Sequence, residues 1–150
     1  MEKPRVLLAD DNEATCTLIT ALLHRDFAVE VANDGHEAIE KLKSRQYAAI
    51  LHDLLMPVVD GYAVLDFLRD EHPDVLERVL VLTASVSPRE MARVREYPVF
   101  GVVAKPFDVE TLQAAVKQCA GLGNDLPFGG PLLASGMLLM LAADLLRRVH

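Results

Sequence analysis

The chain has 150 residues and a net charge of −7, and it is 51% hydrophobic and 25% charged. That length suits about one domain, and that composition excludes a disordered chain. The acidic balance excludes the basic face of a nucleic-acid binder, so no direct nucleic-acid contact is expected. Two cysteines, Cys16 and Cys119, are too few for a disulfide scaffold. Met1-Glu2-Lys3-Pro4-Arg5 lacks the long apolar run of a signal peptide, and a reducing cytoplasm is the expected location.

In chain order, Arg5–Ala9 is a near-continuous apolar run, as a strand covered on both faces requires. Ala14, Leu18, Ala21 and Leu22 then recur at helical spacing and predict the buried stripe of a first helix. Phe27–Val31 alternates Phe27, Val29 and Val31 with Ala28 and Glu30, the pattern of an edge strand. Asp34 and Glu37 are spaced as a capping box before a helix over 35–44 carrying Ala38, Ile39 and Leu42. Tyr47–Leu51 is the next buried strand. Asp60 suits the N-cap of a helix over 61–71, with Val64, Leu65 and Leu68 on one face. Arg78–Thr83 is a strand, and Ser87-Pro88-Arg89-Glu90 combines a capping box with proline at the first helical position. Met91 and Val94 of that helix read as core. Val99–Ala104 is the fifth strand, and Asp108 caps a helix striped with Val109, Leu112, Ala115 or Val116, and Cys119. Strand–helix alternation of this kind predicts an α/β fold: a parallel sheet with right-handed crossovers and helices on both faces.

Open parallel sheets bind ligands beyond the carboxyl ends of their strands. Asp10-Asp11 follows the first strand and Asp53 the third, Thr83 closes the fourth, and Lys105-Pro106 follows the fifth. Taken singly, an aspartate here caps a helix or starts a turn as readily as it forms a site. Together they form a constellation. Three gathered carboxylates repel one another unless a cation intervenes. An all-oxygen cluster suits Mg²⁺, which favours phosphate oxygens, and a lysine and a threonine hydroxyl complete a pocket for a phosphoryl group. The chemistry suggested is phosphoryl transfer to or from a carboxylate.

Leu7-Leu8-Ala9-Asp10-Asp11-Asn12 resembles the opening acidic pair of the response-regulator receiver domains of two-component signalling. Asp53-Leu54-Leu55-Met56-Pro57 with Asp60-Gly61 is similar to the phospho-acceptor loop of that family, Val81-Leu82-Thr83-Ala84 to its switch segment, and Lys105-Pro106-Phe107 to its lysine–cis-proline turn. The resemblance implies a flavodoxin-like five-stranded sheet of order 2-1-3-4-5. It also implies that Asp53 is phosphorylated by a histidine kinase or histidine phosphotransfer protein. Asp10, Asp11, Asp53 and the backbone carbonyl of Leu55 would then hold Mg²⁺, Lys105 would pair with the acyl phosphate, and Thr83 would hydrogen-bond it. Such a chain assists its own phosphoryl transfer and acyl-phosphate hydrolysis, and passes its state to a downstream protein rather than acting as an enzyme on other molecules. Two positions depart from the family: Val102 stands three residues before the lysine, where an aromatic residue is common and the nearest aromatics are Phe100 and Tyr97, and Pro98 falls where the helix before the fifth strand often ends in glycine.

Two other functions compete. A haloacid-dehalogenase-like aspartyl-phosphate phosphatase would need Asp-x-Asp after the first strand, where Asp10-Asp11-Asn12 supplies Asn12, and a late acidic pair that does not follow Lys105. It would also leave Asp53 without a role. A phosphorylation-independent docking module would leave the complete polar constellation without one. His52 adjoins Asp53 but should point to the opposite face as a packed strand residue. His24, His36 and His72 lack ligand spacing. Cys16 and Cys119 fall on helices expected to share one face of the sheet, where a redox bridge competes with two buried free thiols.

The receiver-like sequence occupies residues 1–120. Residues 121–131, rich in glycine and proline, read as a linker, and 132–150 as an apolar helical tail. The receiver part carries 13 Lys/Arg against 20 Asp/Glu, and the remaining 30 residues carry two of each. The uncharged run 131–143 is shorter than the roughly 18–20 residues of a membrane span, and two arginines give little attraction to a lipid surface. The tail is therefore expected to pack on its own receiver, on a second copy or on a partner, with attachment to a membrane surface the weaker alternative. Light scattering on chains 1–150 and 1–122 separates these: a dimer that reverts to monomer on truncation assigns the tail to self-association, and monomers throughout exclude it.

Overall fold

A computed structural model of the chain describes residues 2–54, 61–84 and 87–122. The Leu55 carbonyl, the Asp60 cap, residues 123–131 of the linker and the 132–150 tail lie outside these residues. Five strands, β1 (Arg5–Ala9), β2 (Ala28–Ala32), β3 (Ala49–Asp53), β4 (Val79–Thr83) and β5 (Gly101–Ala104), form one parallel sheet of order β2-β1-β3-β4-β5. Between and after them lie α1 (Glu13–Leu23), α2 (Gly35–Ser44), α3 (Gly61–Glu71), α4 (Pro88–Val94) and α5 (Val109–Cys119). The predicted flavodoxin-like fold and strand order are therefore present. A short 3-10 helix over Pro73–Arg78, opened by Pro73, was not among the predicted elements.

Side-chain alternation along the strands divides the core in two. Leu7, Ala9, Ile50, Val79, Val81 and Val102 pack under α2, α3 and α4. Val6, Leu8, Ala49, Leu51, Leu80, Leu82 and Val103 pack under α1 and α5. β3 extends two residues past its predicted end, through His52 and Asp53, because both polar residues are buried and paired in the ladder. β2 starts one residue late because the Phe27 N–H still bonds the Leu23 carbonyl at the end of α1. As expected, β2 is an edge strand. Its Glu30 carboxylate holds Arg5, Arg45 and the Tyr47 hydroxyl, which places charge on that edge.

The caps follow the sequence closely. Asp34, Ser87 and Asp108 accept the N–H of Glu37, Glu90 and Thr111, at 2.8, 3.2 and 2.7 Å. Asn12, read above only as part of the acidic motif, also caps α1 through the Thr15 N–H at 2.9 Å. Gly121 closes α5 with φ at 77°, while its own N–H and that of Leu122 bond the carbonyls of Gln118 and Lys117.

Two predicted stripes are corrected. Ala14, Leu18 and Ala21 lie on the exposed side of α1, with Leu18 51% exposed; the face against the sheet is Cys16, Ile19 and Leu23, with Leu22 half-buried. Both sets have helical spacing, so periodicity alone did not choose between them; docking against Val6 and Leu8 did. Val109, the first residue of α5, is likewise 45% exposed.

Cys16 and Cys119 share one face, as expected, but at opposite ends of it. The Cys16 thiol donates to the Asp10 carbonyl just past β1, and the Cys119 thiol to the Arg78 carbonyl just before β4. Strands of five residues, rising about 3.3 Å each, separate those ends by far more than the roughly 7 Å a disulfide tolerates between Cα atoms. The redox bridge is thereby excluded, and both are buried free thiols. Burial raises their pKa from 9.0 to about 11 for Cys16, helped by Asp10, and to about 12 for Cys119. A group whose folded pKa is raised stabilises the fold fully below its unfolded value and loses that contribution as pH rises through the folded one. Stability is thus expected to hold up to about pH 9 and to fall between there and pH 12. At pH 8, iodoacetamide should label the urea-unfolded chain and spare the native one, as mass spectrometry would read; equal labelling would contradict the buried placement.

Candidate functional site

The strand ends deliver the site. Ala9 lies opposite His52, Asp53 opposite Leu82, and Thr83 opposite Ala104, so Asp10, Asp53, Thr83 and Lys105 stand along one sheet edge. Asp10, Asp53 and Thr83 are buried, whereas Asp11 is exposed. One carboxylate oxygen from each of Asp10, Asp11 and Asp53 lies within 4.8 Å of the others. The Lys105 ammonium reaches in from β5, with Nζ 3.2 Å from Asp10 Oδ2 and 3.4 Å from Asp53 Oδ2. It joins the two carboxylates contributed by different strands.

Backbone contacts hold these groups in place. The Asp10 N–H donates to the Ala32 carbonyl at 3.0 Å, and its Oδ1 accepts the Asn12 N–H at 2.8 Å. The Lys105 N–H donates to the Thr83 carbonyl at 2.8 Å, and the Lys105–Pro106 peptide is cis, as in the turn that the sequence resembles. Of the predicted site residues, Asp10, Asp11, Asp53 and Lys105 converge. Thr83 ends β4 beside them, and Leu55 lies outside the described residues.

Among the described residues the three carboxylates meet the Lys105 ammonium, leaving negative charge in excess, and the donors they offer are oxygens. Hard oxygen ligands on one side of an open site suit Mg²⁺, which keeps several waters and takes few protein ligands. The residues present fit that ion.

Three features were not read from the sequence. The first is His52. It is 1% exposed and points to the face opposite Asp53, as alternation predicts, but it is not merely packed: its ring donates from Nε2 to the Gly61 carbonyl at 2.9 Å. A carbonyl only accepts, so the proton is on Nε2. Burial lowers this imidazole's pKa, against opposing effects of the Gly61 bond and Asp10. The second is Gly61, whose N–H donates to the Leu54 carbonyl at 3.1 Å. A Cβ at position 61 would stand 2.4 Å from the Leu54 Cα, so only glycine fits there. Asp60-Gly61 was legible as a turn, but this approach depends on tertiary structure.

The third is a brace between α3 and α4. Tyr62 of α3 donates to Glu90 of α4, and Tyr97, just past α4, donates to Asp66 of α3 at 2.5 Å. Arg93 sits 3.5 Å above the Tyr62 ring and Arg69 5.3 Å from that of Tyr97. Burial, then the carboxylate partner, pushes the Tyr97 hydroxyl up to about 12 and that of Tyr62 higher still. Val102, where the family often has an aromatic, is a buried core residue beneath α4.

Comparison with known proteins agrees with this geometry. Residues 6–117 match the family model of the response regulator receiver domain. The transcriptional regulatory protein ZraR of Escherichia coli is 30% identical over 114 residues, which cover 75% of this chain and 25% of that protein. A probable transcriptional regulator of Porphyra purpurea, ycf29, is 28% identical over 75% of this chain and 54% of its own length. The chain thus spans between a quarter and about half of these curated relatives. Among solved structures, the receiver domain of sensor histidine kinase PA1611 from Pseudomonas aeruginosa, with a magnesium ion coordinated in its active-site cleft, superposes with a TM-score of 0.72. It is 27% identical over 79% of this chain and 98% of that one. With motifs, fold and family model in agreement, this chain belongs to the family of response regulator receiver domains.

Proposed function

We propose that Asp53 accepts a phosphoryl group from a phosphohistidine on a histidine kinase or phosphotransfer protein. The observation that carries this reading is the Lys105 ammonium held between Asp10 and Asp53 at 3.2 and 3.4 Å. A carboxylate oxygen of Asp53 attacks phosphorus as the phosphorus–nitrogen bond breaks. The imidazole leaves as a neutral ring after taking up a proton, and an acyl phosphate forms. Lys105 faces the new charge, Thr83 offers a hydroxyl at the end of β4, and Asp10, Asp11 and Asp53 with the Leu55 backbone carbonyl would hold Mg²⁺. When bound, the ion neutralises charge on the transferring phosphoryl oxygens.

The rest of the reading follows from this chemistry. A phosphoryl group adds about −1.5 to −2 of charge, enough to draw a neighbouring hydroxyl and its loop inward. Residues 1–120 act as the phospho-acceptor unit and the 132–150 tail as a contact segment for a downstream protein or a second copy. The site's hydrolysis of its own acyl phosphate limits the signal, and cytoplasmic kinases are the expected donors. Among the described residues, no helix is long and apolar enough to cross a membrane.

Incubation with Mg²⁺ and acetyl phosphate should add one phosphoryl group, located on Asp53 by peptide mass mapping and lost in Asp53→Asn. Asp10→Asn should weaken Mg²⁺ binding by at least about tenfold in calorimetry. Label on Asp10, or turnover of phosphomonoesters, would sink the switch reading in favour of the phosphatase.

A further inference from the structure

We infer that the amino edge of the sheet holds a second site, an oxyanion pocket that takes the phosphate group of a small phosphomonoester. A cavity of about 300 Å³ opens there, between the end of α2, the start of β3 and the 3-10 helix over Pro73–Arg78. That volume matches the lower end of small-ligand pockets. Asp53 and Thr83 close β3 and β4, whereas this cavity lies where those two strands begin. The inference is therefore independent of the phospho-acceptor reading.

Charge points to the ligand. The whole chain has 15 Lys/Arg against 22 Asp/Glu, yet the cavity is lined by Lys43, Arg45 and Arg78 against Asp74. Glu30, outside the lining, accepts from Arg45 at 2.8 Å, but Arg5 shares it at 3.4 Å, so the local excess of cations stands. Arg78 is the least compensated of the three. It is half-buried, and its Nε is buried with no hydrogen-bond partner. Among the described residues no ion pair joins it to a carboxylate, not even to Asp74 four positions earlier. Its own carbonyl accepts the Cys119 thiol at 3.2 Å, which anchors the residue where it stands. A guanidinium that has given up water without gaining a counter-ion is unfavourable, and an anion in the cavity supplies one.

Phe67 holds two further groups at the same cavity. The Lys43 ammonium lies 5.7 Å from its ring centroid, and the His72 ring meets it edge-on at 5.8 Å. Glu40 is 3.9 Å from Lys43 with both side chains more than half exposed, a pair too weak to occupy the ammonium. Two cations without strong partners suit a dianion, and a phosphomonoester carries about −1.5 to −2 at neutral pH. The Tyr47 hydroxyl is committed to Glu30 at 2.9 Å, so its ring, with Val75, offers an apolar wall to the organic part.

Inorganic phosphate is the probe, titrated into the full chain at constant pH with divalent ions chelated. Under those conditions the carboxylates at the Asp53 edge repel the anion. Nitrogen-15 spectra should show saturable shifts of the Tyr47 and Val75 amides and of the Arg78 Nε–H. Sodium chloride at matched ionic strength should not reproduce them. Arg78→Gln should weaken binding by at least about tenfold, the worth of a hydrogen bond to a charged group. Lys43→Gln, at an exposed position that leaves the core intact, should weaken it less. Equal shifts with chloride, or unchanged phosphate affinity in either variant, would overturn the inference and leave a solvated basic patch.

Discussion

Everything at the carboxyl edge depends on one electrostatic compromise, the Lys105 ammonium set between Asp10 and Asp53. A parallel sheet brings β1, β3 and β5 to a common edge, so carboxylates following two of those strands must stand close together. Without a counter-charge their repulsion would oppose the pairing that brings them there. Lys105 arrives from β5 and meets both, and the Asn12 N–H occupies a second oxygen of Asp10. The compensation is incomplete, since Asp11 adds a third carboxylate to the same few ångströms. That residual charge makes the edge receptive to a divalent cation. The site is thereby less favourable to the empty fold than a neutral edge would be.

The sheet's two-sided packing explains why this edge was readable in advance. Residues along β1, β3 and β4 must be apolar because both faces are covered, so the polar residues at their ends stood out. Asp10, Asp53, Thr83 and Lys105 each interrupt such a run, and capping signals at Asp34, Ser87 and Asp108 marked where helices begin. The helices were less legible. On α1 two apolar stripes compete, Ala14–Leu18–Ala21 and Cys16–Ile19–Leu23, and only docking on β1 selects the second. The 3-10 turn over Pro73–Arg78 has too few residues for a periodic signal.

Apart from the Asn12 cap, the contacts that escaped the sequence are non-local. His52 and Gly61 meet across nine positions, Tyr62 and Glu90 across 28, and Tyr97 and Asp66 across 31. None has a spacing rule, because each depends on how α3 and α4 lie over the sheet. Alternation located the face of His52 but said nothing of its partner. Ser87 and Glu90 were legible as a capping box; the backbone half is present, while the Glu90 carboxylate accepts from Tyr62. A side chain expected to serve its own helix therefore ties two helices together.

These ties bear on the substitution at position 102. In this chain Val102 fills core space beneath α4, and the aromatic groups of the region sit instead at Tyr62 and Tyr97, 6.2 Å apart and each bonded to a carboxylate on the other helix segment. Gly61 and Tyr62 are consecutive, so the first turn of α3 is held on one side by His52 of β3 and on the other by Glu90 of α4. Thr83 leads through residues 84–87 to that same α4. Contacts from the end of β3, through His52 and Gly61, and the chain leaving Thr83 therefore meet at α3 and α4. Val102 carries no ring at that position of β5, and among the described residues Tyr62 and Tyr97, each bonded to a carboxylate, tie α3 to the α4 segment.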